Sequence, residues 1–286
     1  MELFRALAVL AEPPRDEHAP LRAALGFTQE PDAAAHTDLF VFELVPYASV
    51  YLDADGMLGG EARDRVAGFW RALKIAPPPE PDALVALLGL YAHLDETARG
   101  EGDAARRALI VRARDALLWE HLAPWAFAYA AKAREVAAGF YRGWAGLLYD
   151  ALGAAASACD PSQGLPVTLR AAPAGIEPGG DAETFLTGLL SPVRSGMLLT
   201  RADLRAAAAE LGLGLRQGER RYALRALLGQ DADATLGWLE REAVAWAARH
   251  EALEACPAAI RGLWAARARA AAGEIARVRA EALTPP

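Results

Sequence analysis

Five histidines are the side chains of this chain best suited to proton transfer or metal binding. Their separations do not pair them on one helical face, so a metal site would need tertiary convergence. The acidic stretches "DGMLGGEARD" and "LDET" fall at expected helix ends, where capping explains their carboxylates. The sequence therefore predicts no catalytic residue and no metal ligand. The histidines are His18, His36, His93, His121 and His250.

Motifs with a defined catalytic or nucleotide-binding spacing are also missing from the sequence. It has no GxxxxGKS/T, no GxGxxG after a strand, no HExxH and no GxSxG. The two cysteines, Cys159 and Cys256, stand far apart and in no CxxC or CxxxH spacing. We therefore expect reduced thiols rather than a disulfide or a zinc knuckle, and no bound cofactor.

The composition is typical of a soluble globular protein. Of the 286 residues, 53% are hydrophobic and 23% charged, which suffices for a large core. A formal net charge of -7 argues against a nucleic-acid surface. The apolar run at the N-terminus is too short for a signal peptide and contains Glu2 and Arg5, and no stretch reaches the roughly 18 apolar residues of a membrane span. We expect a cytoplasmic protein without nucleic-acid partners or stable membrane insertion.

Helical periodicity dominates the first half. Apolar residues recur at i, i+3, i+4 and i+7 between Val66 and Leu73, and the prolines of "KIAPPPEP" end that helix. Asp82 is expected to cap the next helix, and a third is expected to start near Asp103. Because no strand-rich segment could build a sheet, the sequence predicts an all-α fold.

Proline and glycine become frequent between Gly153 and Asp181, where only "VTLR" resembles a short strand. This change predicts a domain boundary. We therefore expect a helical core over residues 1–153, a linker or surface excursion over 154–182, and a helical C-terminal region over 183–286.

Helix signals resume in the C-terminal region. Thr200 followed by Asp203 resembles a capping box, and Gly212 marks the end of that helix. Apolar residues from Leu236 to Leu253 predict a long amphipathic helix, and Pro257 opens the last one.

Residues 200–228 could also form a helix-turn-helix, because two short helices with several arginines flank a glycine-containing turn. Against DNA binding, the arginines are interleaved with apolar residues at core spacing and the chain is acidic. They are Arg201, Arg205, Arg216, Arg220, Arg221 and Arg225.

The segment "FELVPYASVYLDADGMLGG", residues 42–60, interrupts the helical pattern. Pro46 and three glycines break helix, so "YASVYLD" is expected to be irregular and extended, with Tyr47 and Tyr51 between helices. Such an aromatic loop can receive a peptide. From physics alone, tyrosines that fill the core are the favoured alternative.

Four motifs in order resemble the TorD/DmsD/NarJ-type chaperones of redox enzymes. "PYASVYLD" resembles the family's P-W/Y-x-S-V-W/Y-L segment, and "PEPDALVALLGL" its E-P-x-D-H stretch. "LLWEHLAPWAFAY" resembles its H-L-x-P-W motif, and "GFYRGWAGLL" its F-Y-x-x-L segment. The resemblance covers roughly residues 1–153, and the rest looks like an extension found in longer members.

The resemblance implies an all-helical, TorD-like bundle with a C-terminal helical extension. It also implies a non-enzymatic chaperone that binds the twin-arginine leader of a molybdoenzyme catalytic subunit until the cofactor is inserted. The protein would be a monomer or a domain-swapped dimer. Ala83 stands where the family motif has histidine, which leaves nucleotide binding open.

A twin-arginine leader offers two guanidinium groups followed by an apolar stretch, so its receptor needs carboxylates beside an aromatic groove. Asp53, Asp55, Glu80 and Asp82 could supply the charge. The residues expected to bind the peptide are Pro46, Tyr47, Ser49, Tyr51, Asp53, Glu80, Pro81, Asp82, His121, Pro124 and Trp125. We expect Tyr47, Ser49 and Tyr51 to lie close to Asp82. An all-helical enzyme with a small-molecule cavity is the main alternative.

Overall fold

The computed structural model describes residues 3–159, 164–216 and 218–283. Residues 160–163 of the expected linker and Gln217 of the possible helix-turn-helix lie outside that range. Within the described ranges the chain forms helices and no β-strand, with one isolated antiparallel bridge between Tyr47 and Ala83. The predicted all-α class is confirmed.

The first half begins with short helices and continues with longer ones. Two π-helical turns are part of this half, and we name Asp38–Glu43 the first π-turn and Leu118–Leu122 the second π-turn. A single 3-10 turn spans Asp16–His18. The α-helices are α1 (Leu3–Leu10), α2 (Ala19–Ala24), α3 (Ala33–Thr37), α4 (Ala48–Leu52), α5 (Gly60–Ala72), α6 (Leu84–Gly100), α7 (Ala104–Leu117), α8 (Ala123–Val136) and α9 (Gly139–Ala158).

The second half ends in a pair of long helices, α15 and α16. Only a short connection joins them and they pack on each other, so they form a helical hairpin. The helices of this half are α10 (Val167–Ala171), α11 (Ala182–Leu190), α12 (Pro192–Ser195), α13 (Arg201–Leu211), α14 (Arg220–Gln230), α15 (Ala232–Glu251) and α16 (Ala258–Leu283).

Contacts divide the chain into two compact units. The first unit contains Met1–Ser49, Leu58–Arg170 and Ala255–Pro257, and the second contains Val50–Met57, Ala171–Glu254 and Ala258–Pro286. The segment Val50–Met57 thus belongs to the second unit although both its flanks belong to the first. The expected boundaries at residues 153 and 182 stay a prediction.

Aromatic side chains fill the core of the first unit. Trp144 Nε1 donates to Leu7 O at 3.0 Å, which ties α9 to α1. Phe40, on the first π-turn, meets Trp144 and Tyr141 edge-on. Trp125 meets Tyr129 in the same way on α8, and these indole and phenol rings are buried. Such edge contacts add to the hydrophobic stabilisation of a core.

Several local predictions are confirmed. Asp103 accepts a hydrogen bond from Arg106 N and caps α7. Thr200 and Asp203 form a reciprocal capping box at α13, and Gly212 ends that helix in the left-handed conformation. The last helix begins directly after Pro257.

Other local predictions are wrong. Most of "YASVYLD" forms α4 rather than an extended piece, and "VTLR" starts α10 rather than a strand. Asp82 does not cap α6, because the N-cap residue is Ala83.

In the second unit, Gly196 allows close packing against the helical hairpin. Its φ of 70° is left-handed, and a Cβ there would lie 2.8 Å from Trp264 O and closer still to Ala268 N. The Gly196 carbonyl accepts a hydrogen bond from His250 Nε2 at 2.7 Å. Burial lowers the pKa of His250 to about 4, and the Arg249 charge adds to this, so the imidazole is neutral at pH 7.

The segment Val50–Met57 is held by α12 and the residue before it. Ser191 Oγ donates to Asp53 O at 3.1 Å, and Arg194 Nε donates to Ala54 O at 2.7 Å. Gly56 has a φ of 67°, and a Cβ there would lie 3.1 Å from Leu190 O. The second half of the expected peptide loop is therefore fixed within the second unit.

Candidate functional site

Two of the quoted motifs pair with each other in the first unit. Leu84 N donates to Pro46 O at 2.8 Å, Ala48 N donates to Asp82 O at 3.0 Å, and Tyr47 and Ala83 form the isolated bridge. The start of "PYASVYLD" and the start of the α6 motif are thus joined by backbone hydrogen bonds. Pro46, Tyr47, Ser49, Glu80, Pro81 and Asp82 lie together at this junction, which we call the PY–EPD junction.

Asp82 is the structural centre of the PY–EPD junction. Its carboxylate accepts a hydrogen bond from Ser49 N at 3.1 Å, and its side chain is buried. Asp82 O also accepts the hydrogen bond from Ala48 N, so Asp82 satisfies two N–H groups in the first turn of α4. Asp82 therefore caps a helix distant in sequence, instead of the helix that follows it.

Tyr47 and Glu80 form the accessible part of the PY–EPD junction. The Tyr47 hydroxyl donates to Glu80 Oε2 at 2.6 Å. Burial, this hydrogen bond and the charges of Glu80 and Asp82 raise the pKa of Tyr47 to about 12. Tyr47 is half-buried and Glu80 is exposed, so a ligand can reach both side chains.

Two expected site residues, Tyr51 and Asp53, and the expected carboxylate Asp55 lie in the second unit. Tyr51 is 3% exposed, and burial raises its pKa well above the usual range. Asp53 is half-buried, and Asp55 is exposed and accepts a hydrogen bond from Met57 N. The structure places Tyr47 and Ser49 close to Asp82 in the first unit, whereas Tyr51 is a buried side chain of the second.

His121, Pro124 and Trp125 are buried in the first unit around the second π-turn. Trp125 Nε1 donates to His121 O at 2.9 Å, and the His121 ring lies 4.8 Å from Phe69. Burial lowers the pKa of His121 to about 4, with a smaller contribution from Arg65. These residues form core rather than an accessible wall.

The second π-turn follows from Pro124. In a regular α-helix the residue at position 124 would donate its N–H to Glu120 O, but proline has no N–H. Thr168 Oγ1 donates to this carbonyl at 3.4 Å instead. The Glu120 carboxylate accepts a hydrogen bond from Val167 N at 2.7 Å. This motif thus fixes the start of α10.

Sequence reasoning missed an apolar groove between α5 and α6. The groove is open and has a volume of about 490 Å³. Trp70 lines it and also donates from Nε1 to Pro81 O at 3.3 Å, so the groove adjoins the PY–EPD junction. Its lining residues are Arg5, Trp70, Ile75, Pro78, Ala86, Gly89, Leu90 and His93. The signal in the sequence was Trp70 shortly before a proline run, a position that helical periodicity alone assigns to the core.

The PY–EPD junction, the second π-turn and all the listed groove residues except Arg5 fall within one region of family similarity. Residues 9–131 match the family model described as the nitrate reductase delta subunit. Members of that family are chaperones of redox enzyme maturation. No curated protein and no solved structure matches the chain. The match to the nitrate reductase delta subunit agrees with the NarJ part of the resemblance, and the TorD/DmsD subtype stays a prediction.

The arginines of the possible helix-turn-helix are engaged within the second unit. Arg221 and Arg225 both form ion pairs with Glu183, and Arg220 donates to Leu199 O at 2.7 Å. Arginines held by local carboxylates are poorly placed to bind phosphates, which argues against DNA binding. The delta subunit similarity ends before this region.

The described part of the chain contains neither a metal-binding cluster nor a membrane-spanning helix. Across residues 3–159, 164–216 and 218–283, no group of three or more His, Cys, Asp or Glu side chains could hold a metal ion. In the same ranges no helix is long and apolar enough to cross a membrane.

Proposed function

We propose that this protein is a cytoplasmic, non-enzymatic chaperone for the maturation of a nitrate-reductase-type molybdoenzyme. It binds the twin-arginine leader of the catalytic subunit and holds it until cofactor insertion is complete. The observation that carries this proposal is the delta subunit match over residues 9–131, which includes the PY–EPD junction. The TorD-like subtype is part of the proposal.

The PY–EPD junction and the adjoining groove supply what a leader peptide needs. Glu80 is the exposed carboxylate for a guanidinium group, and Tyr47 orients it through the 2.6 Å hydrogen bond. The apolar stretch of the leader lies along Trp70, Ile75 and Pro78 in the groove. Micromolar affinity requires about 8 kcal/mol, which a few buried aromatic and aliphatic anchors can supply.

Buried residues of the expected site support the fold rather than touch the peptide. Asp82 and Ser49 hold α4 in place, and Trp125 and His121 hold the second π-turn. Their place in the family motifs thus has a structural reason. Within the expected site, direct peptide contact is assigned to Tyr47 and Glu80, which have accessible surface.

The test is a titration of the purified full chain with a synthetic leader peptide. The peptide carries an Arg-Arg pair followed by an apolar stretch, and matched peptides carry Lys-Lys or Ala-Ala instead. Isothermal calorimetry is expected to show binding that weakens from Arg-Arg to Lys-Lys to Ala-Ala, because only guanidinium groups make bidentate contacts with a carboxylate. If none of the three peptides binds, the proposal is wrong.

Substitution in the groove tests the assigned surface. Leu90 is buried on the groove wall, so its substitution would mainly disturb the fold. Trp70 is only half-buried, and Trp70→Ala is therefore the more informative change. Trp70→Ala should lower the affinity for the Arg-Arg peptide about tenfold or more, since aromatic anchors dominate such interfaces. Tyr222→Ala removes an exposed aromatic ring of the second unit and serves as the matched control.

A further inference from the structure

The PY–EPD junction has too few accessible carboxylates for two guanidinium groups. Of the four expected carboxylates, Asp82 is buried and bound to Ser49 N, and Asp53 and Asp55 belong to the second unit. Glu80 is the exposed member in the first unit, and Tyr47 already donates to it. A second arginine site within the first unit therefore needs other acceptors.

A small pocket beside the first π-turn offers such acceptors. It has a volume of about 170 Å³, equal to several water molecules or one long side chain. Asp38 and Glu43 lie at opposite ends of the π-turn and both line the pocket. The remaining wall is mostly apolar and comes from α3, the first π-turn, the end of α8, the α8–α9 connection and the start of α9. Its residues are Ala35, Leu39, Val136, Ala137, Ala138 and Tyr141.

Tyr141 contributes a polar group that lacks a partner. The residue is 1% exposed, and its hydroxyl makes no hydrogen bond to any residue that the structure describes. Buried hydroxyl groups are almost always hydrogen-bonded, so an unpaired one in a pocket wall is a candidate partner for a ligand donor. The hydroxyl can accept a hydrogen bond from a cationic donor.

The charge around the pocket is predominantly negative. Asp38 is exposed. The pKa of Tyr141 is raised mainly by burial and further by the negative charge of Asp32, which therefore lies nearby. Arg142 also lies nearby and donates to Ala137 O at 3.0 Å. The carboxylates Asp32, Asp38 and Glu43 outnumber this guanidinium, so the pocket favours a cation.

We propose that the pocket lined by Asp38, Glu43 and Tyr141 binds the guanidinium group of one arginine of the leader peptide. This inference rests on the proposed function and adds a second arginine site to it. A guanidinium suits the pocket better than an ammonium, because its weakly hydrated plane packs on apolar walls while its edge donates to the carboxylates and the phenol.

The position of the pocket fits the rest of the leader. Val41 and Phe42 on the same π-turn are 56% and 47% exposed, so they offer apolar surface to neighbouring peptide residues. Glu43 and Tyr47 are four residues apart, so their Cα atoms are at most about 14 Å apart. A short extended peptide can therefore place one arginine at Glu80 and the other in the pocket.

Binding of the Arg-Arg leader to pocket variants tests the inference. Asp38→Asn and Tyr141→Phe should each lower the affinity for the Arg-Arg peptide. Asp38→Asn should lower it about tenfold because the negative charge facing the guanidinium is lost, and Tyr141→Phe because a hydrogen bond to a charged group is lost. Asp150→Asn, a change at an exposed carboxylate of α9, should leave the affinity unchanged. If wild type binds the leader and both pocket variants bind like Asp150→Asn, this inference is wrong and the proposed function stands. If wild type binds no leader, both fail.

Single-arginine peptides assign the pocket to one arginine. Each arginine of the pair is replaced by glutamine in turn, and both peptides are titrated against wild type and Asp38→Asn. The effect of Asp38→Asn should vanish with one peptide and persist with the other. An equal effect with both peptides contradicts a pocket for one specific arginine.

A stability measurement checks the pocket without a ligand. Because the Tyr141 hydroxyl has no hydrogen-bond partner among the described residues, Tyr141→Phe should leave the urea midpoint of the full chain unchanged or raise it. A lowered midpoint would show that the hydroxyl is already hydrogen-bonded within the protein, and it would overturn the inference.

Discussion

Tyr47 donates its hydroxyl hydrogen to Glu80 Oε2 over 2.6 Å, which links the accessible ends of two motifs that are 33 residues apart in sequence. Glu80 thereby raises the pKa of Tyr47, both through the hydrogen bond and through its charge, in addition to burial. The pair couples the ionisation of a phenol to a carboxylate that we assign to peptide binding.

The first prediction concerns this pair. Glu80→Gln removes the carboxylate charge, so the pKa of Tyr47 should fall from about 12 toward the ordinary value of 10 while burial keeps it above that value. Phenolate absorbance as a function of pH measures the change, and Tyr47→Phe identifies which tyrosine is responsible. An unchanged titration in Glu80→Gln would mean that Glu80 does not contact Tyr47 in solution.

The second prediction concerns Asp82. Asp82→Ala should lower the free energy of unfolding by about 2 kcal/mol, because Ser49 N loses its buried acceptor. Asp82→Asn keeps an acceptor oxygen and should cost less. Urea unfolding of both variants measures the difference, and equal stability of Asp82→Ala and wild type would contradict the assigned role.

The third prediction separates the two tyrosines of the loop. The sequence alone predicts that alanine at either position weakens leader binding more than the fold. Since Tyr51 is 3% exposed, Tyr51→Ala should instead lower the free energy of unfolding by about 3 kcal/mol or more. Tyr47→Ala should mainly lower the affinity for the leader peptide. Parallel urea and calorimetric titrations decide, and a fully stable Tyr51→Ala would contradict this expectation.

The fourth prediction concerns pH. His121 and His250 have pKa values lowered to about 4, mainly by burial, against about 6.5 in the unfolded chain. The unfolded state therefore binds more protons between pH 6.5 and 4, and stability falls as pH drops through that window. Between pH 7 and 5 each histidine should remove about 2 kcal/mol. In His250→Gln the slope of unfolding free energy against pH should be smaller, and an unaltered slope would exclude His250 as a source.

The fifth prediction concerns Gly196. Gly196→Ala places a Cβ against Ala268 N and Trp264 O at a left-handed backbone position. The clash and the strain together should cost about 3 kcal/mol. Gly212→Ala is the matched control, because Gly212 has a φ of 66° but no atom near its Cβ position. Equal losses in the two variants would show that conformation alone, and not packing, determines the cost.

Features that depend on neighbouring residues could be predicted from the sequence. Thr200 and Asp203 cap α13 as expected, because both partners of the capping box lie within one turn. The all-α class followed from helical periodicity and from the lack of strand-forming segments. The roles of Asp82 and "VTLR" were mispredicted because each depends on a distant partner, Ser49 N for the carboxylate and Glu120 for the start of α10.

The candidate site shows the same division. The sequence by itself determined which motifs occur and in what order. It also predicted that the Pro46–Ser49 motif lies close to the Glu80–Asp82 motif. Only the tertiary structure decided which side chains are accessible: Tyr47 and Glu80 reach the surface, whereas Tyr51 and His121 are buried. The physical reason is that helix formation depends on spacing within a few residues, while burial depends on which distant helices pack against a side chain. The pocket at Asp38, Glu43 and Tyr141 could be found only from those contacts.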